Sequence, residues 1–328
     1  MSLDRLVDPN SLVYKEVARL YGLARSLRPV TLDRWNGVLV ATSSDTLGGF
    51  DPKSGALKLS GHRVLPYLTG SLMPGEHRQQ AQALATVLHE ATHGGMVIDA
   101  PSEPNAVRTE HSYGLTEGFA EVRTFVDFDA FADRAGYDGL TLGDPQYPGA
   151  FAATRDLMAH VTGPAYSGNA LIDDACRGPG VMHFDQFAHA VVANHLTELT
   201  HRDHRTQHAV RRELIEPMLH AHWPTLPGAS AATGQIVARE IRSDLDAKID
   251  ELRRHYRLQV PHVVDGFNRG FDQRSAARQD TLDGLRFLSS QAPPTGTVSR
   301  RPQLGHGGRD HAQELRGRPA HLLPRSRE

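Results

Sequence analysis

The stretch EHRQQAQALATVLHEATHGG, residues 76–95, sets the expected architecture of this chain. It contains the run His89-Glu90-Ala91-Thr92-His93 at the end of a segment with helical apolar periodicity. On a helix, positions i and i+4 lie on one face, so both imidazoles can bind the same metal ion. Glu90 then projects beside that ion, where its carboxylate can accept a proton from a water molecule. The pattern therefore predicts a zinc-hydrolase site on a helix.

Two further features favour this interpretation over a chance match to the H-E-x-x-H pattern, which helical proteins also carry without a metal. The predicted helix has an apolar, buried side, formed by Ala83, Leu84, Val87, Leu88 and Ala91. Gly94 and Gly95 follow the second histidine directly, as a glycine C-cap would. The helix is therefore expected to end immediately after the second metal ligand.

A second helix is predicted around the run Leu115-Thr116-Glu117-Gly118-Phe119-Ala120-Glu121, in which Glu117 comes 24 residues after His93. Glu117 and Glu121 are one turn apart and share a face of that helix. Glu117 is the preferred third ligand. Its rivals are Asp99, Glu110, His111 and Glu121, because both carboxylate and imidazole groups bind zinc. Glu121 has a second alternative interpretation, as part of a solvated helix face.

These two motifs resemble those of the gluzincin group of zinc peptidases, which includes the thermolysin-like and aminopeptidase N-like enzymes. The resemblance implies that His89, His93 and Glu117 bind one Zn²⁺ per chain and that Glu90 is the general base. It also implies that Glu121 is the carboxylate that steadies a ligand histidine. The gap between His93 and Glu117 is longer than in the best-known members, and no Gly-Ala-Met-Glu-Asn-like exopeptidase motif lies upstream, so the subfamily stays open.

The resemblance covers about residues 36–125 and implies an α+β fold with a zincin-like catalytic core. In such a core a small sheet precedes the histidine-bearing helix and the glutamate helix. Residues 37–42 predict a buried strand, and residues 50–60 predict a hairpin with turn chemistry at 51–55. In resembling enzymes the edge strand lies above the metal and pairs with an extended peptide. Residues 56–60 are predicted to be that strand, the alternative being a purely structural hairpin strand.

Three parts of the chain are predicted. Residues 1–135 form the zincin-like core, with an N-terminal helix over 11–28. Residues 136–290 form a helical subdomain, which either completes the cleft or serves as an independent dimerisation or partner-binding module. Its helices are expected near 150–162, 184–199, 206–222, 233–258 and 263–289. Residues 291–328 are rich in Pro, Gly and Arg and predict a disordered tail.

The residue that stabilises the oxyanion of the reaction is harder to predict. Related enzymes use a tyrosine or histidine from beyond the glutamate helix. Tyr166 is the first choice as this catalytic residue, because it lies in a Gly/Pro-rich loop between predicted helices. The other available residues are Tyr113, Tyr147, His160 and His183. The alternative for Tyr166 is a surface or packing tyrosine.

Composition argues against several other classes of protein. The chain has 328 residues and a formal net charge of −2, so no binding of nucleic acid or of a membrane surface is expected. Cys176 is the single cysteine, which excludes an intrachain disulfide and a thiolate-rich zinc site. The N-terminus lacks the apolar region of a secretory signal, and no apolar stretch approaches the length of a membrane span. A cytoplasmic protein is therefore expected.

Among the 19 histidines, His201, His204 and His208 have a spacing with which one helix could bind a second ion. A polar helix face or helix start is the favoured interpretation of this cluster. Taken together, the sequence predicts a zinc-dependent metallopeptidase acting on a peptide or protein substrate. The alternatives are a non-catalytic zincin-fold binding module and a zinc hydrolase of a non-peptide amide or ester.

Overall fold

A four-stranded mixed sheet lies in the N-terminal part of the computed structural model, which describes residues 4–28, 30–69, 75–199 and 203–258. The strands are β1 (Arg5–Leu6), β2 (Leu39–Thr42), β3 (Gly48–Phe50) and β4 (Leu57–Ser60). Their order in the sheet is β1-β2-β4-β3. β2 and β4 run parallel, whereas β1 and β3 pair antiparallel with β2 and β4 respectively. The predicted buried strand and hairpin are therefore both present.

The hairpin turn uses the predicted residues, but the predicted edge strand is wrong. Asp51 accepts the backbone N–H of Lys53 on its carboxylate at 2.9 Å, and Gly55 has a φ of 75°. Such a positive φ favours glycine, which explains the turn chemistry. β4 pairs with a strand on each side, so residues 56–60 have no open edge. The outer strand on this side of the sheet is β3.

The described residues form eight α-helices. They are α1 (Leu12–Ser26), α2 (His77–Gly95), α3 (His111–Ala135), α4 (Pro148–Val161), α5 (Gly168–Arg177), α6 (His183–His195), α7 (His204–Ile215) and α8 (Ala231–Leu258). α5 is not predicted by the sequence, because its ten residues lie between two stretches rich in Gly and Pro. The mainly helical character expected after residue 135 is confirmed for the described residues up to 258, and the helix expected over 263–289 and the tail 291–328 lie outside them.

Gly94 and Gly95 are the last two residues of α2 and do not form the predicted glycine C-cap. Neither glycine has a positive φ, so neither forms a left-handed cap. A Cβ atom on Gly94 would lie 2.3 Å from the hydroxyl oxygen of Tyr21, and one on Gly95 would lie 2.9 Å from Cγ1 of Val30. The two glycines therefore allow α1 and the segment after it to pack closely against the end of α2.

α3 belongs to two hydrophobic clusters. Its C-terminal half, with Phe128 and Phe131, packs with the sheet, α1 and α2. Its N-terminal half, with Leu115 and Phe119, packs with α4 to α8 and the buried Trp223. All described residues fall within one compact unit, and no helix among them has the length and apolar character needed to cross a bilayer. The division at residue 135 stays a prediction, since the two clusters meet along this helix.

Close packing of α3 against α4 depends on Gly118. A Cβ atom at this position would lie 2.0 Å from Oγ1 of Thr154 and 2.8 Å from the backbone oxygen of Ala150. These distances are shorter than any real carbon contact, so a larger residue would push α4 away. Tyr147 immediately precedes the first residue of α4. Gly118 thus keeps Tyr147 close to the neighbouring Glu117.

Candidate metal centre

α2 and α3 bring together His89, His93 and Glu117, the three predicted metal ligands. Nε2 of His89 lies 3.1 Å from Oε2 of Glu117 and 3.2 Å from Nε2 of His93. Nε2 of His93 lies 3.5 Å from the same carboxylate oxygen. Three potential ligand atoms from two helices therefore form a nearly equilateral triangle.

The dimensions of this triangle fit a zinc ion. Ligand atoms about 2.05 Å from zinc in tetrahedral geometry are about 3.4 Å apart, and the three measured separations lie close to this value. Two imidazoles and one carboxylate are also a ligand set that catalytic zinc sites use. The group could thus hold a metal ion, and no second group of three such ligands is found within the described residues.

The rival third ligands lie elsewhere. Asp99 accepts a hydrogen bond from Nε of Arg108 at 3.0 Å, and Glu110 and His111 precede or begin α3 outside the triangle. The cluster proposed for a second ion also has another role. Asp203 caps α7 by accepting the N–H of Thr206 at 3.0 Å, as the helix-start interpretation expects. His201 lies outside the described residues.

The Glu117 carboxyl is ionised in this triangle. Burial opposes the ionisation of Glu117, but the nearby His93 and His89 outweigh it and hold the pKa of this carboxyl well below its usual range. Burial likewise opposes charge on His89, and the carboxylates of Glu117 and Glu121 outweigh that effect and raise its pKa. An ionised carboxylate is therefore present where a metal ion would need one.

Glu121 lies behind His89 and fixes its orientation. Its Oε2 lies 3.0 Å from Nδ1 of His89, and its Oε1 accepts the backbone N–H of Gln146 at 2.6 Å. The side chain is buried, so the alternative of a solvated helix face does not hold. A carboxylate on Nδ1 selects the tautomer that leaves Nε2 free to bind a metal. Glu121 thus occupies the position that the resemblance implies.

Arg123 fixes the register of α3 against α2. Its side chain is 1% exposed, and its guanidinium donates to Oγ1 of Thr92 at 2.8 Å and to the backbone oxygen of Ala24 at 2.6 Å. Thr92 directly precedes the candidate ligand His93, so this contact lies one residue from the triangle. A buried cation needs such partners, and it therefore holds α1, α2 and α3 in one arrangement.

Glu90 is buried between α2 and the outer strand β3. The side chain is 2% exposed, and burial raises the pKa of its carboxyl, although His89 and His93 oppose this shift. Gly48 of β3 lies directly against this side chain. Glu90 is therefore adjacent to the triangle without being part of it, which is where a general base is needed.

The structure does not bring Tyr166 to this group, so the first choice for the oxyanion residue is not supported. Its hydroxyl hydrogen-bonds the carboxylate of Asp174, and its ring contacts His189. Tyr147 lies at the site instead, with its ring centroid 5.4 Å from that of His89. Tyr166 is one of the partly buried residues that pack on the helical cluster, as its alternative interpretation expects.

Two tyrosines that the sequence offers as alternatives are adjacent to the metal ligands. Burial raises the pKa values of Tyr147 and Tyr113, and the charges of Glu117 and Glu90 raise them further. Both phenols thus keep their protons at neutral pH and can donate hydrogen bonds. Tyr113 precedes Glu117 by one turn on α3 and is 54% exposed, whereas Tyr147 is more enclosed.

The two histidines named as alternatives have structural partners. His183 is fully buried, and its Nε2 donates to the backbone oxygen of Ala175 at 3.2 Å. Burial lowers the pKa of His183 to about 4, so this side chain is neutral. His160 pairs with Asp246 of α8 at 3.0 Å. These contacts give both histidines a structural role, and neither is assigned a role in the reaction.

Comparisons with models of protein families, with curated proteins and with solved structures found no match to this chain. The zincin-like core and the gluzincin resemblance therefore stay predictions from the two sequence motifs. The structure shows, independently of that resemblance, that His89, His93 and Glu117 converge.

Proposed function

We propose that this protein is a zinc-dependent metallopeptidase of gluzincin type. The observation that carries the proposal is the triangle of ligand atoms, with Glu121 behind His89 and Glu90 beside the ligands. Three protein ligands leave one coordination position of zinc for water or substrate, which distinguishes a catalytic site from a structural one.

Each polar side chain has a definable role in such a reaction. A bound zinc ion acts as a Lewis acid for the substrate carbonyl and for water. Glu90 accepts a proton from the attacking water and delivers it to the leaving nitrogen, because its carboxylate is next to the ligands. Tyr147 donates a hydrogen bond from its hydroxyl group to the oxyanion that forms from the carbonyl oxygen, and keeps its proton. Glu121 keeps the His89 ring in place throughout.

The outer edge of β3 supports the choice of a peptide substrate. Leu47 and Asp51 flank β3, and their backbones hydrogen-bond those of Ser60 in β4 and Ala56 just before it. By the alternation of an antiparallel ladder, the backbone groups of Gly48 and Phe50 face away from β4. The N–H of Phe50 already donates to the Glu90 carboxylate, so an extended peptide would pair with the other outward groups of this edge, in the role predicted for residues 56–60.

Removal and return of the metal tests the proposal. The purified chain is expected to hold one zinc, to cleave casein, to lose activity with 1,10-phenanthroline and to regain it with added zinc. Elemental analysis and a fluorogenic casein assay measure these outcomes. Small amide and ester substrates serve as a parallel panel. Cleavage of those alone would point to a non-peptide hydrolase, and no cleavage of any substrate by the zinc-loaded protein would point to a binding module.

A Tyr147→Phe substitution is expected to lower kcat about 100-fold, the cost of losing one oxyanion donor, with zinc content unchanged. The phenyl ring keeps the contact with His89, so the site should not collapse. Tyr166→Phe is the matched control, since its hydroxyl bonds Asp174 rather than the ligands, and its kcat should stay near that of the wild type. If Tyr147→Phe is fully active and Tyr113→Phe is not, the donor is Tyr113.

A further inference from the structure

We infer that Gly48 is a positioning residue for the reaction, because the absence of a side chain at this position leaves the space that the Glu90 carboxylate occupies. This inference rests on the proposed function. β3 lies against α2 at this point, and a Cβ atom on Gly48 would meet two residues of that helix, Thr86 and Glu90. These two residues are one turn apart and face the strand together.

The contacts at Gly48 leave no room for a methyl group. Its Cβ would lie 2.7 Å from Cγ2 of Thr86, 2.9 Å from Oε1 of Glu90 and 3.0 Å from Cγ of Glu90. Such separations are shorter than a carbon contact allows, so one of the neighbours must move. The φ of Gly48 is not in the left-handed region. The glycine is therefore needed for space and not for backbone conformation.

The neighbours differ in how easily they can move. Thr86 is held by a hydrogen bond from its Oγ1 to the backbone oxygen of Gln82 at 2.8 Å, which directs its methyl group towards the strand. Glu90 presents Oε1 and Cγ of a longer, rotatable side chain, whose carboxylate accepts a hydrogen bond from the backbone N–H of Phe50. A methyl group at position 48 therefore displaces the Glu90 carboxylate more readily than it displaces the helix. The three atoms nearest to the added methyl carbon belong to Thr86 and Glu90 and not to His89 or His93.

Gly49 provides a matched comparison on the same strand. It has no atom within 4 Å of its Cβ position, and its φ is likewise not in the left-handed region. Alanine at either position removes the same freedom from the unfolded chain. Any difference between the two variants in the position of Glu90 thus arises from the space at Gly48.

The test compares Gly48→Ala, Gly49→Ala, Thr86→Ser and the double variant Gly48→Ala with Thr86→Ser. Serine keeps the hydroxyl that bonds Gln82 but removes the methyl group nearest to position 48. In that background the nearest atom of Thr86 is gone, and the short contacts with Oε1 and Cγ of Glu90 remain. The double variant also provides a folded protein if the single Gly48→Ala variant does not fold.

Crystal structures of the zinc-bound variants give the first result. The Glu90 carboxylate is expected to be displaced in Gly48→Ala and in the double variant, with the three ligands unmoved, and to keep its position in Gly49→Ala and Thr86→Ser. The second result is kinetic and is measured with a peptide substrate that contains a cleavage site found in casein. The double variant is expected to have a kcat about 100-fold below that of Thr86→Ser, with KM little changed. A misplacement of a catalytic group by about 1 Å lowers the rate by about this factor.

An unmoved Glu90 in the double variant, or a kcat equal to that of Thr86→Ser, would overturn the inference. A larger change in KM than in kcat would do so too, because it would assign Gly48 to substrate binding. If the wild type cleaves no substrate, the proposed function fails while the crystal structures still decide whether Gly48 positions Glu90. The two failures are therefore distinguishable.

Discussion

Replacement of Glu90 by glutamine is expected to abolish peptide hydrolysis, with a fall in kcat of about 10³-fold or more, while one zinc per chain is retained. Glutamine has nearly the same shape as glutamate but cannot accept and return a proton. The ligands His89, His93 and Glu117 are unchanged, so metal binding should persist. The variant should also fold well, since burial opposes the charge on Glu90 and a neutral amide avoids that cost.

Steady-state kinetics with the casein peptide and elemental analysis of the same preparation measure this result. Glu110→Gln is the control, because this exposed carboxylate lies next to the start of α3 and outside the triangle. Wild-type rates in Glu90→Gln would show that another group is the general base. A loss of zinc together with activity would instead make Glu90 a structural part of the metal site.

Substitution of Glu117 by alanine is expected to have a comparably large effect on zinc affinity. Loss of a hydrogen bond to a ligand typically costs 10- to 100-fold in metal affinity, and loss of the ligand itself should cost more than about 100-fold. His89→Ala should behave in the same way, because its Nε2 forms two edges of the triangle. Competition with a chromophoric chelator measures the dissociation constants.

Glu121→Gln separates a direct ligand from a supporting carboxylate. It removes the charge behind His89 but leaves all three ligands in place, so its loss of affinity should fall within the 10- to 100-fold range. Full zinc occupancy in Glu117→Ala would contradict the assigned ligand set and return attention to Glu121. An equal loss in both variants would mean that the two carboxylates share the metal.

The parts of the site that follow from local patterns could be predicted from the sequence. The spacing of His89 and His93 and the apolar face of α2 are properties of one helix, so periodicity was sufficient. The same holds for Glu117 and Glu121 on α3, where one turn separates the two carboxylates. The convergence of the two helices was also expected, because a loop between neighbouring helices allows the second to pack against the first.

The parts that depend on distant contacts could not be predicted in this way. Nothing local to residues 56–60 indicates that β2 pairs beside them, which moves the open edge of the sheet to β3. The choice between Tyr147 and Tyr166 depends on how closely α4 approaches α3, and hence on Gly118. Glycine in a helix is a visible signal of close packing, although its partner Thr154 is not readable from the sequence.

One turn of α3 has consequences for how this chain can change over time. Glu117 and Glu121 face the two ring nitrogens of His89 from that turn, whereas Gly118 faces α4. Each inserted or deleted residue would rotate the following part of a helix by about 100°. A single-residue insertion between the two glutamates would therefore misdirect one of them, whatever residue was added. Length variation should be tolerated instead in the connections before His111 and after Ala135.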